Sequence, residues 1–568
     1  MGLMNGALQI GRSALLSYQS ALHVIGNNVS NAGSASYTRQ TPLLTPYQGT
    51  ALPEGFLSGG GVALSALRRN IDESLEGRLR VALGDQQDAL VRQQTVSRIE
   101  SILNELTDTD LSSLLQGFFN SFHTLQNDPT DVAVRGMVLQ AGDAVVREIG
   151  RQRQDVLMMR DELNNQIASL ATRAGKLTED IAALNTRITA TEGAAAGGAN
   201  ALRDQRDEML RELSAIIQIE VREQPGGGVN VYAGNELLIA GGMNRGLTWT
   251  LDTVDNEPRV VVRFADNQRA LVPRGGQIAG LISARDEHVL AHVEALNNLS
   301  QVLISEVNKV HADGQGLVGF TELTGAFHMD DPDAALDEAG LALTPQNGSF
   351  ILHVTNTQTS PPSRTATTIS VDLDGVGADD TLTTLAAKID AVAGVSAEVT
   401  SDNRLKLTAD ADHEITFSQD SSNVLAALGL NVFFVGTSAM DLAVNPDLVA
   451  NVDLLAASTQ HTPGDGSNAG AMAALGTTAL SSLGGRSVMD YYHTLASDVA
   501  VKGAAAVADV EASDAIVLSL SAQRESISGV NLDEEVIAML KMERAFGAAA
   551  RFTTVVDGLM DDVLALVG

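Results

Sequence analysis

Two apolar stripes, one near each end of the chain, constrain this sequence more than any other feature. Alternating steps of three and four through the C-terminal stretch give Leu532, Glu535, Met539, Met542, Phe546, Ala549, Thr553, Val556, Met560, Val563 and Val567. All but Glu535 and Thr553 are apolar, which makes the a/d seam of a heptad repeat on one face of a helix. Asn531 is placed to cap that helix, and Asp533, Glu534 and Glu535 load its first turn, where negative charge suits the helix dipole. The same spacing near the N-terminus picks out Met4, Leu8, Gly11, Leu15, Tyr18, Leu22, Ile25 and Val29, with Gly11 breaking the stripe. A helix over that span is about 39 Å long. Stripes this apolar need a cover. The two helices are expected either to pair and bring the chain ends together, or to lie as ordinary amphipathic helices on a globular core.

The chain is too long for one core, and about three or four domains are expected from 568 residues. Its 70 acidic and 37 basic residues leave a net charge of -33. That argues against nucleic acid, which is bound through Lys and Arg on phosphates, and against anionic membrane surfaces. Without cysteine there are no disulfides, thiolate metal sites or cysteine nucleophile. No apolar run reaches the roughly 18 residues of a membrane-spanning helix. Gly6, Gln9, Gly11, Arg12 and Ser13 interrupt any signal-peptide core. The expectation is a cytoplasmic protein, or one exported without a cleaved signal.

Along the chain, Tyr37 to Ala66 reads as extended, with Pro42, Pro46 and Pro53 and a break at Gly59-Gly60-Gly61. Leu67 to Thr191 is mostly helical, and Leu163, Ile167, Leu170, Ala174, Leu177, Ile181, Leu184 and Ile188 form an unbroken heptad seam. A small-residue hinge at Gly193 to Gly198 precedes a helix from Asn200 to Ile216. Ile219 to Pro273 alternates as antiparallel β with glycine turns, and Trp249 is expected in the core. Gly276 to Val310 returns to helix. Pro332 to Pro446 is mainly β, with strands at Phe350 to Val354, Thr368 to Leu373 and Arg404 to Leu407 and one helix from Leu382 to Val392. Gly464 to Gly470 reads as a loop, and helices resume at Ser487.

Candidates for chemistry are few. His288 and His292 stand one helical turn apart beside Glu287, a pair able to hold zinc, but with no HExxH pattern and no third ligand at a telling distance. A solvated helix face is the alternative. Asp372, Asp374, Asp379 and Asp380 flank Gly375 and Gly377 without the spacing of an EF-hand, so an acidic turn competes with a calcium site. The glycine clusters carry no Walker lysine and no dinucleotide spacing. No catalytic, cofactor-binding or metal residue is assigned. Arg39 and Gln40 follow Tyr37 in a polar turn that is either a recognition edge or a solvated loop.

Ala21-Leu22-His23-Val24-Ile25-Gly26-Asn27-Asn28-Val29-Ser30-Asn31, followed by Tyr37-Thr38-Arg39-Gln40, resembles the N-terminal signature of the bacterial flagellar rod, hook and hook-associated proteins. Ser528-Gly529-Val530-Asn531-Leu532-Asp533-Glu534-Glu535 resembles the matching C-terminal signature. Ser36 departs from the pattern, since the family usually has glycine there, which permits a positive φ. Asn127-Asp128-Pro129-Thr130-Asp131 with Arg135, the stretch Leu202 to Glu208 with Leu210 and Leu213-Ser214, and Val307-Asn308 with His311 and Gly314 narrow the likeness to the junction members of that family. Thr368 to Phe434 is similar to a small β-rich module of flagellin and the filament cap, with Leu428-Gly429-Leu430 as its closing turn.

The resemblance implies a multidomain α+β fold and no enzyme activity. Terminal helices (1–66 plus 529–568) would form an α-helical coiled coil lining an inner tube. A helical-bundle trunk (67–325 plus 460–528) would carry a small β part at 219–273, and 326–459 would be an inserted β-rich outer domain. It implies an extracellular component of the flagellum, exported through the flagellar type III channel without a cleaved signal peptide, with no cofactor. The partners implied are further copies in a ring, the hook protein, a second hook–filament junction protein, and an export chaperone on the apolar C-terminal helix, with no nucleic acid and no membrane insertion. Each buried seam residue returns about 1.5–3 kcal/mol against about 1–2 kcal/mol of backbone entropy, so isolated ends sit near balance and assembly would order them. Alternatives are another axial protein of hook or distal rod, a secreted adhesin, or a metal hydrolase at His288 and His292.

Overall fold

A computed structural model describes residues 2–34, 36–51, 57–103, 110–193, 197–254, 257–460, 462 and 464–567. Pro53 and the centre of the expected hinge, 194–196, lie outside the described residues. The chain is multidomain α+β and divides into two units. Among the described residues, no helix is long and apolar enough to cross a membrane.

One unit takes Met1–Gln94, Glu162–Arg285 and Ala505–Gly568. It holds the N-terminal helix Gly2–Ser30, a hairpin of Gln40–Ala51 with Leu57–Arg69, and the C-terminal helix Leu532–Val567. The N-terminal helix packs along both the hairpin and the C-terminal helix. Gly59-Gly60-Gly61 does not end the strand but runs inside Leu57–Arg69, where the pairing register shifts between Gly59 and Val62. At Gly61, φ is +102°, and a side chain would strike Ser13 and the Ile10 backbone, so glycine lets the strand lie close on the helix.

The same unit contains helix Asn200–Ile216 and a meander of four strands, Ile219–Glu223, Val229–Ala233, Glu236–Ala240 and Met243–Asn244, paired in sequence order. A separate hairpin joins Leu247–Val254 to Glu257–Phe264. The second half of the long helix Val132–Glu192 supports both, and its heptad seam is buried except at half-buried Leu170. Two asparagines stitch the β parts to that helix. Asn164 Nδ2 donates to Pro258 O (2.9 Å) while its Oδ1 accepts from Val260 N (3.0 Å). Asn185 Nδ2 donates to Val229 O and Gly241 O. Trp249 is not core but 41% exposed, because its position on the hairpin falls on the outward side of the pleat.

The other unit takes Thr95–Asp161 and Asp286–Ala504. Its helix Leu111–Asn127 starts where Asp110 Oδ1 accepts from Ser113 N (2.6 Å). Phe118 and Phe122 of that helix stack against Phe433, and Phe118 meets Phe434, within one hydrophobic core that also takes in the strands of the 326–459 segment. That segment holds a sheet of Ser363–Val371, Gly348–Asn356 and His413–Ser418, and a second in which Val395–Val399 and Leu405–Ala409 are joined by Glu322–Thr324 from just before the segment. Thr381 and Thr384 form a capping box on helix Leu382–Asp390. The expected closing turn is present: Gly429 is left-handed (φ +74°) and Leu430 N donates to Leu425 O at 2.8 Å.

Two local expectations are corrected. Residues 467–470, expected in a loop, begin helix Ser467–Ala474, whose apolar side buries Ala469 and Met472. The helix expected over Gly276 to Val310 is interrupted by a π turn, Ala284–Val289, between Gln277–Ser283 and Leu290–Ala312. Periodicity alone does not reveal one inserted residue in a helical turn.

Candidate assembly site

The helix Leu532–Val567 starts as its residues demand: Asn531 Oδ1 accepts from Asp533 N (3.0 Å) and, more distantly, from Glu534 N. Along it, Glu535, Ala549 and Val556 are buried, and Met539, Met542, Phe546, Thr553, Met560 and Val563 are half-buried. Leu532 is exposed, and the Val567 side chain lies outside the described ones. On the N-terminal helix, Gly11 and Ile25 are buried, and Leu8, Leu15, Tyr18, Leu22 and Val29 are half-buried. The Met4 side chain lies outside the described ones. Ser17, Ala21 and Asn28 are also buried, and the seam spacing omits them. Ser17 shows why: its Oγ donates to Val62 O of the hairpin at 2.9 Å, so this helix has a second covered face.

The breaks in the two seams are specific contacts. Thr553, a polar step in the C-terminal seam, seats its hydroxyl where Gly11 has no side chain, and a Cβ on Gly11 would collide with it. That hydroxyl also donates to Ala549 O within its own helix (2.9 Å). Glu535, the other polar step, is 2% exposed. Its Oε2 accepts from Asn28 Nδ2 (2.9 Å) and its Oε1 from Arg39 Nε (2.7 Å).

Asn28 is the hub of this joint. Its Nδ2 also donates to Gln40 O (2.9 Å), and its Oδ1 accepts from Tyr37 OH (2.7 Å) and Gln40 N (3.1 Å). Four partners use the full capacity of one amide side chain. Burial first, then the charges of Asp204 and Glu535, push the Tyr37 hydroxyl up to about 12, so it stays protonated and donates. Burial works against the Arg39 charge, but Glu534 and Glu535 outweigh it and its pKa rises. Arg39 NH1 reaches Glu534 at 2.6 Å, and the Arg39 backbone N–H donates to Ser528 O at 2.9 Å. Arg39-Gln40 is therefore neither a recognition edge nor a solvated loop but the tie between the two ends.

The remaining signature residues are local. Asn31 Nδ2 donates to Asn27 Oδ1 (2.9 Å), and Gly26 has open space about it. Gly529 N donates to Glu525 O (2.9 Å), and a side chain on Gly529 would strike Glu525.

Sequence reasoning missed how the joint continues into helix Asn200–Ile216. Asn200 Nδ2 donates to Gln40 Oε1 (3.1 Å), and Asp204 takes the Thr38 N–H (3.4 Å) and pairs with Arg69 at 3.0 Å. Asp207 pairs with the same arginine. The spacing of Asn200, Asp204 and Asp207, on one side of a helix, was the available signal.

On the side of the C-terminal helix away from the seam, Ile537 (54% exposed), Leu540 (50%), Val555 (61%) and Leu559 (53%) stand uncovered in a stripe about 100° wide that they share with exposed Lys541, Arg544 and Arg551.

The enzyme candidates fare differently. His292 is buried, and burial followed by the Lys502 charge pulls it down to about 4, so it is neutral. Among the described residues, His288 and His292 have no third carboxylate or imidazole at ligand distance. Asp372, Asp374 and Asp379 lie close enough to share an ion, but they are occupied as turn acceptors: Gly375 N donates to Asp379 (3.1 Å) and Val376 N to Asp374 (2.8 Å). Asp380 accepts from Asp372 N and pairs with Lys388. Asn308, His311 and Gly314 are structural: Asn308 Oδ1 accepts from Phe433 N and Phe434 N, and His311 Nδ1 meets Asn431 O at 2.8 Å. Buried Arg135 likewise donates to Pro129 O and Leu455 O, both at 2.8 Å.

A family model for the flagellar hook-associated protein FlgK helical domain matches residues 96–327, and one for the flagellar basal body rod FlgEFG protein C-terminal region matches 509–566. Flagellar hook-associated protein 1 of Escherichia coli K12 is 26% identical over 99% of this chain and 100% of its own length. Its counterpart in Salmonella typhimurium is also 26% identical, over 99% and 100%. That of Bacillus subtilis is 23% identical over 98% and 97%. The flagellar hook junction protein FlgK of Burkholderia pseudomallei shares the fold, with a TM-score of 0.50 at 12% identity over 80% of this chain and 100% of that one.

Tied terminal helices and these matches define a structural protein of the flagellum, not an enzyme. The chain belongs to the hook-associated protein 1 family.

Proposed function

We propose that the chain joins hook to filament as a ring of stacked copies and is required for filament assembly. The observation that carries this reading is the pair of terminal helices. They are fastened to each other at Asn28, Arg39 and Glu535, and they leave a second stripe with Ile537, Leu540, Val555 and Leu559 uncovered. Head-to-tail copies covering one another's stripes would extend along a helical lattice. Residues 1–66 with 529–568 would then line the inner tube. The hook protein would lie on the cell side and a second junction protein on the distal side. Before assembly the stripe suits an export chaperone, and a chain without cysteine suits unfolded passage through the flagellar export channel.

Electron microscopy of cells lacking the gene, with the medium assayed for filament protein, tests this. Bare hooks with filament subunits in the medium are expected. Cells without hooks would move the protein to an earlier axial role, and normal filaments would overturn the reading. Deleting residues 532–568 is expected to abolish incorporation while the unit containing Phe118 and Phe433 still folds.

A further inference from the structure

A groove of about 860 Å³ follows strand Ile219–Glu223. Gln218, Ile219, Glu220 and Val221 line it in succession. Side chains of a strand alternate between faces, so a hollow touching consecutive residues lies along the strand's edge. Among the described residues that edge is free in the sheet: the strand is outermost and pairs with Val229–Ala233 on its other side. An unpaired edge offers a row of backbone N–H and C=O groups. Across the groove stand Val81, Ile516 and Leu520, of which the first two are exposed.

Arg80 supplies a second, independent observation. It lines the groove and is only 4% exposed. Among the described residues its guanidinium has neither a hydrogen bond nor an ion pair. Of the carboxylates around it, Glu76 is taken by Arg211 (3.2 Å) and Arg524 (2.8 Å) and Asp207 by Arg69, while Glu73 is exposed to solvent. Burial lowers its pKa, against the raising effect of Asp207, Glu76 and Glu73. A guanidinium carries five N–H donors and no acceptor, and native structures seldom keep such a group in a covered position without a use for it. Arg78 and Arg274, both exposed, line the same groove.

We propose that the groove receives an extended peptide segment, which adds as a strand to the free edge of Ile219–Glu223, sets apolar side chains against Val81, Ile516 and Leu520, and seats one carboxylate on Arg80. Strand addition gives affinity through the main chain and selectivity through alternate side chains. A carboxylate on a guanidinium makes two parallel hydrogen bonds. Glu73, Asp85, Glu220 and Glu223 also line the groove and repel a run of acidic residues, so the segment has a single carboxylate flanked by apolar residues.

The test titrates the full chain with acetyl-Thr-Val-Glu-Val-Thr-amide and its analogues with Ile or Leu in place of Val, by calorimetry. Controls are the glutamine analogues, a peptide methylated on alternate backbone nitrogens, and inorganic phosphate. At least tenfold weaker binding is expected for glutamine than for glutamate, with binding lost on backbone methylation. In Arg80→Met, which is expected to fold with an unchanged or higher Tm, the two peptide classes should bind alike. Equal binding of glutamate and glutamine peptides to the unaltered chain would overturn the proposal, whether or not Arg80→Met folds. So would full retention on methylation, phosphate binding with no peptide binding, or no binding at all.

Discussion

Asn28 and Glu535 stand 507 residues apart in the chain and share a hydrogen bond of 2.9 Å in a buried joint. Because Asn28 is saturated by four partners, Asn28→Ala strands several buried groups at once. A loss of about 1–3 kcal/mol is expected. Asn28→Asp should cost more, since it sets a second carboxylate beside Glu535. Faster amide hydrogen exchange across Leu532–Val567, with a lower denaturation midpoint, checks both.

Gly11 and Thr553 form a matched pair. Alanine is a better helix former than glycine by about 1 kcal/mol, yet a methyl group at Gly11 meets the Thr553 hydroxyl. Gly11→Ala is therefore expected to weaken the joint, and Gly11→Ala with Thr553→Ala to recover it. A double-mutant cycle read by thermal unfolding should give a coupling of about 0.5–3 kcal/mol. Additive effects would mean that the two residues are not in contact.

Acid should unfold the unit holding His292 and His311. Burial first, and then the charges of Lys502 and Arg135 respectively, draws both down to about 4. His311 Nε2 accepts from Ala456 N (3.1 Å), which requires the neutral ring, while its Nδ1 at Asn431 O (2.8 Å) works against the downward shift without cancelling it. The unfolded chain takes up these protons near pH 6.5, before the folded one does. The stabilisation is complete above that pH and is lost as pH falls through about 4. His292→Gln should move the acid midpoint, followed by circular dichroism, to lower pH.

The uncovered stripe predicts a separation of folding from assembly. Leu540→Gln, Val555→Gln and Leu559→Gln change exposed positions and should each alter stability by no more than about 0.5 kcal/mol. Together they should remove the protein from purified hook–filament complexes, as read by immunoblot. Normal incorporation would show that copies do not meet through this face.

Periodicity made the seams legible because it reports which face is apolar. It was silent on why Glu535 and Thr553 interrupt one seam and Gly11 the other. A period ranks polar and small residues as faults, although these are the positions where the helices recognise each other. Ser17 escaped notice, and Asn28 was marked only by resemblance, for a related reason: small polar residues on a helix resemble solvent-facing ones unless the hairpin that covers them is known. Trp249 failed in the opposite direction, since its size argued for burial while the hairpin turned it outward. Arg80 was invisible to pattern because its meaning lies in which carboxylates Arg69, Arg211 and Arg524 have already claimed.

The joint between Asn28 and Glu535 also orders events in time. Closing a flexible loop of 507 residues costs about 5–6 kcal/mol from the logarithm of its length alone. Such a clasp cannot fasten while a later part of the chain is still being made or threaded, whichever end leads. The first helix must wait with its seam bare until residue 535 has followed, and the knot that holds the ends is the last one tied.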